Sequence, residues 1–490
     1  MKKSLLAVGV AATLGALSGV SNAAMTVAQN GVGQINILPY YTVQNGNTTL
    51  ISIANTDELN GKAVKVRFRG AQFSDDVFDF QVFLSPADVW TAAVTLDGNV
   101  ARLTTNDNSC TLPAKADLNQ KFVTARLLDA NKAQGTREGY VEIINMGDIP
   151  VSAVPDSLYV ATKHVNGVAP CTTAVLIGDV AAPNDLTGKL TNPKTGLTSF
   201  ATIINVANSK AFTVPATALN QIDGVTGLPS LVVPVRYSRQ ANLTTGTLSF
   251  GSVSPAFASA QTADSVFDPA TGNVKMYEFD LPDLSTPYGT ANAAAQLAEL
   301  QTALAKGSVV TEYATDDSIL ASTDVVLSQP TRRYYYTWTD TPTAATDPLR
   351  TLATVDGATG VYSSLDADTN SVTVGAPSVY DREERTVSAE NNIVISPNPQ
   401  GSATWTLIGE VSVVSINNGA GKTGALGAEI TAQDYTFAYN DGLVRLSTTA
   451  GVQALPVIGF TAVNVFNASA GGAAGTNYGQ VLPLKWNTAP

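Results

Sequence analysis

Val64, Val66 and Phe68 alternate with Lys65, Arg67 and Arg69, and no other feature constrains the fold of this chain as tightly. A period of two is the period of a strand, because successive side chains leave an extended backbone on opposite sides. The alternation predicts one face against a core and one face in water. Phe78, Phe80, Val82 and Leu84 repeat the pattern and stop at Ser85-Pro86. Residues 35–43 and 50–53 are β-branched and aromatic runs around Asn45-Gly46, which predicts a hairpin. Further strands are expected at Leu103, 141–144 and 203–206, with a late hairpin over 437–446 around Asn440-Asp441-Gly442. Short strands with turn signals about every 8–12 residues predict an all-β chain of two or more β-sandwich domains. One segment, 291–306, has helical spacing: Leu297, Leu300 and Leu304 share a face and Gly307 ends it. It is expected to be a short helix packed across a sheet edge.

The first residues predict export. Lys2 and Lys3 precede an uncharged stretch from Leu5 to Val20, and Ser21-Asn22-Ala23 supplies the small residues of a cleavage site. This is the pattern of a secretory signal peptide, residues 1–23, with cleavage after Ala24 as the alternative. No later run approaches the ~20 apolar residues of a membrane-spanning helix. Cys110 and Cys171, the only cysteines, are therefore expected to form a disulfide. An echo between residues 49–56 (TLISIANT) and 202–209 (TIINVANS) predicts equivalent strands of two related sandwiches. With the turn-rich stretch 192–196 as a boundary, the domains are expected at 24–195, with the disulfide, and 196–490, with the helix.

Charged residues make up only 14% of the chain, against about 25% in an average soluble protein. The net charge of −12 argues against nucleic acid as a partner. Chemistry is scarce. His164 is the only histidine and cannot build a triad or a zinc site alone. Gly31-Val32-Gly33 lacks the spacing of a phosphate loop, and no nucleophile elbow occurs after the signal. No catalytic residue or cofactor-binding motif is assigned, and the chain is not expected to be an enzyme.

Asp366, Asp368 and Asn370 resemble the start of a calcium loop. Ser371 stands where an EF-hand needs glycine and Pro377 where it needs glutamate, so calcium would require a different oxygen-rich site. Asp75-Asp76 and Asp316-Asp317 are further acidic turns of this kind. Arg332-Arg333-Tyr334-Tyr335-Tyr336 predicts aromatic strand packing beside an exposed arginine pair. Residues 381–385, Asp-Arg-Glu-Glu-Arg, predict a solvated mixed-charge loop.

Several segments carry a family resemblance. They are Leu38-Pro39-Tyr40-Tyr41-Thr42-Val43 with the following 47–52, Lys62 to Phe68, Leu84-Ser85-Pro86 leading to Asp88-Val89-Trp90, and Asn106 to Cys110. Together they resemble exported Gram-negative cell-surface proteins, and the low-charge, Thr/Ala/Gly-rich character is similar to surface-layer proteins, including those that sheathe nanopods. Thr323-Asp324-Val325-Val326, Gln329-Pro330-Thr331 and 381–384 extend a fainter likeness, with Val325 where relatives often carry an aromatic. The resemblance implies a structural protein at the cell surface that self-assembles into a two-dimensional lattice. Its partners would be copies of itself and an outer-membrane component such as lipopolysaccharide or a membrane protein. The acidic balance would favour calcium as a bridge between units. The alternatives are an outer-membrane β-barrel and a secreted glycan-binding adhesin or glycan-active enzyme. The helical 291–306 segment and the terminal Trp486-Asn487-Thr488-Ala489-Pro490 fit a barrel poorly.

Overall fold

A computed structural model describes residues 24–124, 127, 132–172, 175–176, 189–233, 235–237, 265–268, 273–276, 282–289, 293–339, 351–355, 362, 365–366, 370–384, 405–417, 424–451, 453–467, 469 and 475–487. The expected signal peptide and Asp368 lie outside these residues. Among them the chain is predominantly strand, in several mostly antiparallel sheets.

The N-terminal unit is a sandwich. Its strands are β1 (Ala24–Val27), β2 (Ile35–Thr42), β3 (Thr48–Asn55), β4 (Gly61–Gly70), β5 (Asp76–Leu84) and β6 (Val89–Asp97). They continue with β7 (Val100–Thr104), β8 (Cys110–Leu112), β9 (Glu138–Ile149), β10 (Leu197–Asn205), β11 (Lys210–Pro215) and β12 (Thr217–Ile222). One sheet has the order β1-β12-β2-β9-β4-β5-β8 and the other β11-β10-β3-β6-β7. Val64, Val66, Phe68, Phe80, Ile53 and Trp90 fill the space between them, so the apolar face of the β4 alternation lies in a core. The disulfide joins Cys110 to Cys171, with Cα atoms 5.2 Å apart.

Three expectations about connection change here. The runs flanking Asn45-Gly46 do not pair: β2 and β3 lie in different sheets, and the chain turns the corner through Gln44–Gly46. Asn45 (φ 51°) and Gly46 (φ 80°) take the left-handed backbone that the corner needs. The Thr49 hydroxyl accepts from Thr42 N at 3.0 Å and donates to Thr42 O at 2.8 Å, bonds that a hairpin ladder would otherwise supply. The echoing segments are neighbours in one sheet rather than equivalents in two sandwiches. β10 pairs antiparallel with β3, from Leu197↔Asn55 to Ile204↔Thr48. Strand pairing therefore runs across the expected 195/196 boundary, and the N-terminal sheets take in the chain through Ile222.

The C-terminal strands that position the sites are β13 (Ser308–Ala314), β14 (Ser322–Ser328), β15 (Ser378–Tyr380), β16 (Val411–Ile416) and β17 (Ala432–Tyr435). β18 (Asp441–Ser447), β19 (Ile458–Asn467), β20 (Thr476–Pro483) and β21 (Lys485–Asn487) follow. They form a sheet ordered β15-β18-β13-β21 and another ordered β17-β16-β14-β19-β20. Val309, Tyr313, Val325, Leu327, Val444 and Leu446 share the core of this unit. The second expected hairpin is also a crossing between sheets, because β17 pairs with β16 while β18 pairs with β13 and β15.

The described helices are short: Lys115–Leu118 (α1), Leu158–Thr162 (α2) and Ala293–Leu304 (α3). α3 buries Leu297, Leu300 and Leu304 as its spacing predicts. It covers the sheet edge at β1, where the Glu299 carboxylate accepts from Met25 N and Gln221 Nε2, both at 3.0 Å. Among the described residues no helix is long and apolar enough to cross a membrane.

Candidate functional site

The second face of β4 is not in water. Lys65, Arg67 and Arg69 are 0% exposed, and the later chain reaches this face at Arg69 through Asp283. A buried cation needs a counter-charge and hydrogen bonds to offset its lost hydration. Neighbouring strands supply them. Lys62 pairs with Asp148 at 2.9 Å, Lys65 with Asp79, and Arg67 with Asp76. Glu142 of β9 stands 3.1 Å from Arg69 Nε and 3.9 Å from Arg67 Nε.

The C-terminal unit contributes the other half of this seam. Asp283 lies 3.7 Å from Arg69 and accepts from the Tyr334 hydroxyl at 3.0 Å. Arg333 donates to Ser74 O at 2.6 Å. Arg332 donates to Gly409 O at 2.6 Å, Leu407 O at 3.2 Å and Asn370 Oδ1 at 2.9 Å. The expected exposed arginine pair is thus buried, at 0% and 4%. Arg67, Arg69, Arg332 and Arg333 face Asp76, Glu142, Asp283 and Glu410, so the formal charges of these groups cancel. Burial still raises the carboxyl of Glu142, with Arg69 opposing it. It pushes Glu410 up to about 7 despite Arg332 and Arg333. Glu138, at the other end of the seam, is also pushed up to about 7 by burial, although it accepts from Glu429 N at 2.8 Å.

Backbone and apolar contacts lock the same seam. Glu410 N and Val411 N both donate to Ala71 O, at 2.8 and 3.0 Å. Gly409 (φ +70°) permits this approach, since a Cβ there would stand 2.7 Å from Ala71 O. Ser328 Oγ donates to Pro39 O, and Tyr140 OH to Pro330 O at 3.4 Å. Ile35, Ile37 and Tyr40 of β2 share one apolar cluster with Val326, Val411 and Phe460 of the C-terminal unit. The segments around Tyr40, Arg67 and Gln329-Pro330-Thr331, read above as motifs, therefore meet in space.

The other sequence candidates are distributed elsewhere. Asn370 is buried with its amide engaged by Arg332 and Gln72 O. Its oxygen accepts from a guanidinium, and Asp366 is exposed. Asp76 pairs with Arg67, and Asp316 caps a short turn by accepting from Ser318 N at 2.7 Å. Among the described residues no group of His, Cys, Asp and Glu gathers as a metal site. In the loop at 381–384, Asp381 is buried while Arg382 is exposed and pairs with Asp441 at 3.0 Å.

His164 meets Ser85 Oγ at 3.0 Å and Asp88 Oδ2 at 3.5 Å, a pairing that spacing along the chain did not reveal. Both partners meet the same nitrogen, Nδ1. A nucleophile relay needs the hydroxyl on one ring nitrogen and the carboxylate on the other, and this geometry does not provide it. A cleft of about 730 Å³ opens between β13, β15, β18 and the β19–β20 pair. Glu312, Tyr380, Arg382 and Arg445 line it, a mixed-charge surface suited to polar contacts. A smaller cleft of about 500 Å³ lies between the β10–β11 turn and the β19–β20 pair.

No protein-family model matches the chain, and no curated protein is similar to it.

Proposed function

We propose that the chain is a structural surface-layer protein that assembles with copies of itself into a two-dimensional lattice outside a Gram-negative cell or its vesicles. The observation that carries this reading is the set of exposed aliphatic side chains on the two segments that leave one end of the seven-stranded sheet. β9 and β12 both run antiparallel to β2, so both leave the sheet where β2 begins. The chain after β9 exposes Val151, Val154 and Val165, and the chain after β12 exposes Val225, Leu231 and Val232. Thr191 pairs with Asp148 at the end of β9, and Asn192 donates to Leu231 O at 3.1 Å, which ties the two segments to one short stretch. Apolar side chains exposed on two linked segments supply the kind of surface that contacts between molecules cover.

The seam supports the same reading. A lattice tile must hold at least two non-equivalent contacts in fixed relation, and a shared core with a matched charge network makes one block of the two units. Of the segments that carry the surface-layer resemblance, those around Tyr40 and Arg67 lie at that seam, as does the fainter 329–331. Divalent cations enter as bridges between acidic turns of neighbouring copies, and an outer-membrane component, such as lipopolysaccharide, as the anchor.

Electron microscopy of the purified chain from residue 24 tests the proposal. Ordered sheets or tubes are expected. Val225→Asp with Val232→Asp, at positions 82% and 77% exposed, should abolish them and leave a folded monomer. A wild-type chain that stays monomeric with and without divalent cations would sink the proposal.

A further inference from the structure

The smaller cleft holds side chains that the seam and the exposed patch do not use. Lys210 of β11 projects into it partly buried, and among the described residues no carboxylate stands within ion-pair distance of its ammonium. Asp324 acts on it electrostatically, but its oxygens already accept from Ser415 Oγ at 2.7 Å and Leu426 N at 2.8 Å; Asp317 lines the same cleft without pairing with Lys210. Burial lowers the Lys210 pKa, as it must for a cation without a counter-ion.

Asn464 of β19 lies beside it, 3% exposed. Its Nδ2 donates to Asn477 Oδ1 at 2.7 Å, and Asn477 Nδ2 donates onward to Asn208 O. Among the described residues Asn464 Oδ1 has no hydrogen-bond partner, although a buried amide oxygen is ordinarily satisfied. Asn208 is exposed, and its side-chain amide makes no hydrogen bond among the described residues. Phe466 is half-buried and adds an aromatic surface to the same cleft.

We propose that this cleft binds an acidic saccharide, with Lys210 receiving its carboxylate or phosphate, Asn208 and Asn464 its hydroxyls, and Phe466 the C–H face of a sugar ring. The class follows from the combination. An apolar ligand would leave the amides and the ammonium unsatisfied, at a cost in desolvation. A small inorganic anion would use Lys210 and neglect the amides and the ring. A planar amide offers one acceptor and two donors, which suits neighbouring hydroxyls that both give and accept. The volume, about 500 Å³, lies within the usual range of small-ligand pockets. The site needs both units, because Lys210 and Asn208 come from the N-terminal sheets and Asn464 and Phe466 from β19. This proposal does not depend on lattice assembly.

A glycan array carrying uronic, sialic and phosphorylated oligosaccharides beside neutral ones, probed with the chain from residue 24, tests it. Hits are followed by calorimetry against inorganic phosphate. Acidic glycans should bind, neutral counterparts at least tenfold more weakly, and phosphate alone not measurably. Lys210→Met and Asn208→Ala, both away from the cores, should each weaken the best acidic hit at least tenfold with unchanged melting temperature. Silence across the acidic panel overturns the proposal. So does equal binding of neutral glycans or of phosphate alone, or acidic binding that survives both substitutions.

Discussion

Raising the pH from 5 to 8 is expected to destabilise this fold, the reverse of ordinary acid denaturation. Glu138 and Glu410 are sealed in the seam, and burial pushes each carboxyl up to about 7. In the unfolded chain the same groups ionise near 4.5. Between those values the folded chain keeps protons that the unfolded chain has released, so stability falls as pH rises. Integrating the linkage from pH 5 to pH 8 gives roughly 2–3 kcal/mol per group and about 5 kcal/mol for the pair. Burial also raises Glu142, Asp148 and Asp324, which adds in the same direction. Asp97, Asp223 and Asp316 are held low by hydrogen bonds from Arg102, Thr226 N and Ser318 N respectively. Their stabilisation is lost only as pH falls below the ordinary carboxylate range, outside this window.

An unfolding entropy of about 2.1 cal/mol/K per residue amounts to about 1 kcal/mol/K here, so the midpoint should drop by about 5 °C from pH 5 to pH 8. Thermal melts at fixed ionic strength read this directly. Glu410→Gln and Glu138→Gln keep the neutral form at every pH. Each should flatten the slope, by up to half, and raise the pH 8 midpoint by about 2 °C. A wild-type midpoint that is flat or rises from pH 5 to pH 8, or variants with the full wild-type slope, would refute the reasoning.

Other expectations follow from the same geometry. Arg69→Met leaves Glu142 and Asp283 buried without their shared guanidinium, and should cost about 3–5 kcal/mol in denaturant titration. Closing a loop across a separation of 61 residues, the Cys110–Cys171 bridge should contribute about 4 kcal/mol, read as the stability lost on reduction. Free thiols in non-reduced, alkylated protein would contradict the bridge. Excess chelator should loosen assembled sheets yet leave the melting temperature of dispersed chain unchanged, because Asn370 and Asp76 are held by arginines. Sheets that persist in chelator remove calcium from the account.

Strand content, the disulfide and the helix at Leu297, Leu300 and Leu304 are legible in the sequence, because each rests on local spacing or on a single available pair. Connectivity is not. Asn45-Gly46 between two apolar runs encodes a reversal, and the same reversal serves a hairpin or a corner between sheets. The distinction rests on where Thr49 sits relative to Thr42, a matter of tertiary placement. The echo of TLISIANT in TIINVANS has a simple origin. Adjacent antiparallel strands see the same two faces, so β3 and β10 acquire similar patterns without being repeats. The Ser85–Asp88–His164 cluster is equally invisible along the chain, since its partners lie 79 residues apart.

The charged face of β4, expected in water, is buried. Alternation establishes that a strand has two unlike faces, and charge on one of them ordinarily means water. The contrary signal lies on the neighbouring strands. Asp79 stands between Phe78 and Phe80, and Glu142 between Val141 and Ile143, each directly across from Arg67. A solvated face needs no such matching of opposite signs in rows, because water and salt screen it; a face that another unit will cover does. Buried ion pairs add little net stability over well-packed apolar residues, yet breaking one is costly. The apolar cluster around Ile37, Val326 and Phe460 supplies attraction that tolerates sliding. The arginines do not tolerate it. Shifting one unit against the other would separate Arg69 from Asp283 and Arg333 from Ser74, leaving charges buried without partners. The seam thus fixes how the two units meet, and a fixed relation between them is what repeated contacts across a lattice require.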